Sequence, residues 1–93
     1  MLGEIKGALR LTTTAYDVEL TTMQEAALLD LKLAGVITDS KDALIRRAVV
    51  TYCRANFGTP PDYAQLKASY DEQKAQLQMA SGYTEWGDGV GEG

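Results

Sequence analysis

From Lys41 to Phe57 the apolar residues recur at spacings of one and three: Leu44, Ile45, Ala48, Val49, Tyr52 and Cys53, with Asn56 on the same line. Only a helix, at 3.6 residues per turn, gathers such a set on one broad face. Arg46, Arg47 and Arg54 project from the other side. Gly58 stops the segment, and Pro60-Pro61 forbids its continuation because proline lacks the N–H that the next turn needs. This pattern predicts the central helix of an all-α core.

Three further segments carry the same period. Leu2, Ile5 and Leu9 predict a short first helix, weakened by roughly 1 kcal/mol at each of Gly3 and Gly7, so docking must hold it. The β-branched run Thr12-Thr13-Thr14 comes next, and Thr13 or Thr14 can cap a second helix, predicted from about Ala15 to Ala34. Its stripe is Leu20, Met23, Ala27, Leu31 and Ala34, widened by Leu28. Asp17 and Glu19 meet the positive end of its dipole, and Gly35 is its natural C-terminal cap. Val36-Ile37 reads as a brief extended connector, and Thr38-Asp39-Ser40 as the N-cap of the third helix. Asp62 is placed to cap a fourth helix, Tyr63 to Ala80. Its stripe is thin: Tyr63, Leu66, Tyr70, Leu77 and Ala80, interrupted by Gln73. The expected architecture is therefore a bundle of about four helices over residues 1–81. Residues 82–93, rich in glycine and acidic at Glu85, Asp88 and Glu92, read as a flexible arm that cannot fold alone.

A chain of 93 residues makes one domain and buries only about 60–65% of the surface its unfolded form exposes. Much of its 45% apolar fraction is alanine, which packs helices closely but buries little area per residue. Neighbouring subunits are thus expected to complete the core. Acidic residues outnumber basic ones by 13 to 9, which disfavours nucleic-acid binding because that binding draws on Lys and Arg to displace counterions. There is no histidine, the commonest general base and zinc ligand. Cys53 is the only cysteine and sits on the apolar face of its helix. It reads as a small buried hydrophobe in a protein made in a reducing compartment. The opening Met1-Leu2-Gly3-Glu4-Ile5-Lys6 lacks the continuous apolar run of a signal peptide. No segment approaches the roughly 20 apolar residues of a membrane span, so a soluble protein is expected.

The remaining constellations point to no catalysis, cofactor or metal site. Asp71-Glu72 reads as a solvated pair, and Asp39-Ser40-Lys41-Asp42 lacks the glycine and terminal glutamate of a calcium loop. The terminal glycines follow no strand and precede no helix, so they are no phosphate cradle. Arg46, Arg47 and Arg54 form the one basic cluster. They are open to three readings: a solvated face, pairing with acids of an adjacent subunit, or phosphate contact. Tyr52, Tyr63 and Tyr70 at helical spacing predict amphipathic core residues, with Tyr70 also a candidate contact. Tyr83 and Trp86 are apolar anchors in a segment with no core of its own, which favours contact with a partner.

Beyond these patterns, Leu2-Gly3-Glu4-Ile5-Lys6-Gly7-Ala8-Leu9-Arg10-Leu11-Thr12-Thr13 followed by Tyr16-Asp17-Val18-Glu19-Leu20 resembles the opening of small head–tail connector proteins of tailed bacteriophages. The likeness runs on through Ala26-Ala27-Leu28-Leu29-Asp30-Leu31 and Ala34-Gly35-Val36. It is strongest from Leu44 to Gly58, then at Pro61-Asp62-Tyr63 and from Leu66 to Asp71, covering about residues 2 to 84. The resemblance implies a helical adaptor that forms a ring, expected to follow the portal's twelvefold symmetry, beneath the portal of the DNA-filled capsid. It implies a location in the virion, synthesis in the bacterial host cytoplasm, and partners among portal, head-completion and tail proteins. Such proteins are often labelled DNA-packaging proteins from gene position rather than motor chemistry. DNA would pass non-specifically through the lumen, which an acidic wall suits, since it does not hold phosphates. Candidate subunit or portal contacts are Arg46, Arg47, Arg54, Tyr70, Tyr83 and Trp86. The competing reading is a small DNA-binding regulator using the helix around Lys41 to Phe57, of whose basic face these arginines are only a fragment.

Overall fold

Four helices form in the order that the periodicity predicts: α1 Leu2–Leu9, α2 Asp17–Leu33, α3 Ala43–Asn56 and α4 Tyr63–Met79. The computed structural model describes residues 1–38 and 42–79, with no strand among them. The arm expected over residues 82–93, including Tyr83 and Trp86, lies outside the described residues.

α3 is the hub, packing against α1, α2 and α4. It buries Ile45, Ala48, Val49 and Cys53 as its period requires, and Thr51 and Ala55 on a further side. Two buried sides let one helix serve two neighbours. Leu20, Ala27 and Leu31 of α2, Ile5 of α1, and Tyr70 and Leu77 of α4 complete the core cluster. Tyr16, just before α2, meets Phe57, just after α3, edge-on at 5.2 Å, so these two helices run antiparallel. Burial pushes the Cys53 thiol up to about 11, so it stays neutral near pH 7 and acts as the small hydrophobe expected.

Two helix ends close in the same way. After α2, Val36 N–H donates to the Leu31 carbonyl (3.0 Å) and Gly35 N–H to that of Lys32 (2.9 Å), with Gly35 at φ 89°. This double hydrogen bond satisfies the last carbonyls and turns Val36 into the core beside Leu31. After α1, Leu11 and Arg10 bond back to Lys6 and Gly7 identically, but an arginine holds the left-handed position at φ 58°. A side chain there costs about 1 kcal/mol or more through its Cβ. Arg10→Gly relieves that strain and gives back part of it as unfolded-chain entropy. The net expectation is a gain of about 0.5 kcal/mol, read from chemical denaturation midpoints.

Three local expectations are corrected. Neither Thr13 nor Thr14 caps α2 through its side chain: Tyr16 holds the N-cap position without a side-chain bond. Thr13 Oγ1 instead accepts from Ala15 N–H (3.1 Å) in a turn one residue earlier, because the helix begins at Asp17 rather than Ala15. α3 likewise begins at Ala43, and its cap is Asp42, whose extended backbone lets Oδ1 accept from Leu44 N–H at 2.8 Å. Leu44, placed on the buried face by its spacing, is half exposed, while the adjacent Ile45 is fully buried, so the core side of α3 is narrower at its start than the apolar pattern implies.

α1 is held by docking, as its two glycines require. Ile5 is fully buried, Lys6 Nζ pairs with Asp17 at 2.9 Å, and Glu4 accepts from Arg46 Nε at 3.0 Å. An added Cβ at Gly3 or Gly7 would meet nothing within 4 Å.

Candidate assembly surface

α2 carries two apolar stripes. Leu20, Ala27 and Leu31 face the core. At 100° per residue, Val18, Thr22, Leu29 and Leu33 fall on the opposite side of the same helix. Val18 is 82% exposed, Leu29 55% and Leu33 79%. The Thr22 hydroxyl donates back to the Val18 carbonyl (3.0 Å) and so is spent within the helix. The strip runs for about 22 Å at 1.5 Å per residue. Ile37 and Met79, also exposed, lie at the same end of the molecule as Leu33, since Gln78 Nε2 donates to the Ala34 carbonyl (3.0 Å). Scattered exposed leucines are ordinary, but Leu29 and Leu33 are adjacent on one helix face, with Val18 further along it, and form an apolar patch suited to cover by something else.

The second surface is basic. Arg46, Arg47 and Arg54 do come together, lining one groove of about 370 Å³ with Glu4 of α1 and with Leu66, Ser69 and Gln73 of α4. Among the described residues Glu4 is the only acid that lines it, and it pairs with Arg46. Arg47 and Arg54, both exposed, make no ion pair among the described residues. In a chain of net charge −4 this groove is a local excess of positive charge.

Tyr70 sits elsewhere. It is 5% exposed, and its hydroxyl donates to Asp30 Oδ2 at 2.6 Å. Lys74 Nζ donates to the same oxygen at 3.1 Å while lying 5.4 Å over the Tyr70 ring, and Tyr52 packs edge-on against that ring at 5.3 Å. Desolvation alone would raise the Asp30 carboxyl, but the bonds from Tyr70 and Lys74 and the charges of Lys74 and Lys67 outweigh it and hold it below its ordinary value. Burial first, then its bond to Asp30, pushes the Tyr70 hydroxyl well above the usual phenol range. The phenol is therefore a permanent donor that fastens α4 to α2 within one subunit.

Spacing singled out the arginines, but it passed over Val18, Leu29, Leu33 and Asp30. The strip was detectable in principle, since residues 18, 22, 29 and 33 fall within one narrow sector of a helical projection. Among the described residues no group of three or more His, Cys, Asp or Glu could hold a metal ion, and no helix is long and apolar enough to cross a membrane.

The described residues thus form an all-helical bundle with an apolar strip on α2 and a basic groove beside α3. A family model described as phage connector protein matches residues 1–84. The chain belongs to that family, and its role is that of a structural connector of a bacteriophage. No curated protein and no solved structure matches it.

Proposed function

We propose that this connector is a non-enzymatic adaptor of the virion. It assembles with copies of itself as a ring of about twelve subunits below the portal, joining the DNA-filled capsid to the tail. The observation that carries this reading is the strip of Val18, Leu29 and Leu33, which a folded subunit leaves uncovered. α2 and α3 pack core face to core face, so the strip and the arginine groove look away from each other. Two unlike surfaces on opposite sides are what a heterologous, ring-closing contact uses. Further head-completion or tail proteins would then dock on the finished ring. Net acidity suits a conduit through which DNA passes without sticking, and lumen-facing residues should be Asp, Glu or neutral.

The competing reading, a DNA-binding regulator, needs α3 in a major groove. α3 is buried on two sides between its neighbours, and Glu4 already engages Arg46, which weighs against it. Light scattering of the purified chain, with and without portal protein, tests the adaptor. Bound mass should approach about twelve times the 10.1 kDa of one chain. A chain that stays single and ignores the portal would end the proposal, as would sequence-specific DNA binding with a steep salt slope.

A further inference from the structure

We infer that the arginine groove is a docking site for the acidic, aromatic segment of residues 82–92 of the same chain. This goes beyond the ring reading, because it concerns the isolated subunit.

Charge is the first argument. Arg46 in the groove is engaged by Glu4, whereas Arg47 and Arg54 pair with nothing among the described residues. The segment carries Glu85, Asp88 and Glu92, and no Lys or Arg occurs after Lys74. Shape and surface chemistry are the second. Val50 and Leu66 give the groove apolar footing between its guanidinium groups. Arginine stacks on aromatic faces, so Tyr83 and Trp86 are suitable occupants, with their acidic neighbours paired to the same cations.

Reach is the third. α4 ends at Met79, and its groove residues Gln73, Ser69 and Leu66 lie roughly 9 to 20 Å back along the helix. Because α4 runs antiparallel to α3, this path passes Arg47 before Arg54. The seven residues from Ala80 to Trp86 span up to about 23 Å when extended, enough to return along the groove. A segment tethered so closely acts at a millimolar effective concentration, which outcompetes a second copy at micromolar protein.

Trp86 is the only tryptophan, so the emission of the full chain reads the contact directly. At concentrations where scattering shows a single chain, emission should be blue-shifted from free indole and unchanged on dilution. Arg47→Glu with Arg54→Glu should shift it to the free-indole position while the far-ultraviolet helical signal stays intact. Adding Glu85→Arg and Asp88→Arg to that variant should recover the blue shift. Free-indole emission in the unaltered chain overturns the inference, as does a blue shift that survives the arginine reversal. A blue shift lost on dilution also overturns it, because it places the segment on a second copy. Scattering with portal protein is a separate readout, so failure of the ring and failure of the docking contact are told apart.

Discussion

On the proposed ring, Leu29→Glu combined with Leu33→Lys will leave the subunit folded and abolish the contact between copies. The two positions are one helical turn apart on the exposed strip of α2. A Glu four residues before a Lys adds a favourable pair of about 0.3–0.5 kcal/mol to the helix, and the Lys sits well near the negative end of the dipole. Folding should therefore be unchanged or slightly improved. Association should not survive. Burying each leucine contributes about 1.5–3 kcal/mol, and the charged replacements must be desolvated if the same contact forms. The combined cost of about 5 kcal/mol corresponds to more than a thousandfold in each subunit contact. Light scattering beside circular dichroism checks both halves. Rings of full mass from the double variant would show that the strip is not the contact.

The largest loss of stability is expected at Tyr70. Tyr70→Ala removes a buried ring packed on Tyr52 and leaves Asp30 without its shortest donor. Truncating a core aromatic costs about 3–5 kcal/mol, a large share of the stability of a domain this size, so much of the variant should be unfolded at 37 °C. Tyr70→Phe keeps the ring and loses only the hydrogen bond, for about 1.5 kcal/mol, since the acceptor is charged. Denaturant midpoints separate the two. If Phe costs as much as Ala, the hydroxyl rather than the packing carries the site.

The same carboxylate sets an acid limit. Asp30 titrates below its ordinary value in the folded state, so its contribution is fully present above the unfolded value of about 3.9. That contribution is lost as pH falls through the lower, folded value. Thermal midpoints should drop on acidification below about pH 4, and Asp30→Asn should flatten that drop while lowering the midpoint at pH 7. A full acid slope in the Asn variant would assign the effect to other carboxylates.

What the sequence determined by itself is local. A 3.6-residue period is a property of neighbouring positions, so α1 to α4 were legible within a residue or two, as were the stops at Gly35 and Gly58. Asp42 was missed as the cap of α3 because several nearby residues can cap, and only the backbone path chooses among them. Tertiary structure alone decided what joins residues some 40 positions apart: Tyr70 and Lys74 on Asp30, and Arg46 on Glu4. On α2 the period already named the core stripe, and Leu20, Ala27 and Leu31 are buried as it expects. What only the packing decided is that the opposite side stays uncovered: α1 and α3, which pack on α2, both take its core side, and this leaves Val18, Leu29 and Leu33 exposed.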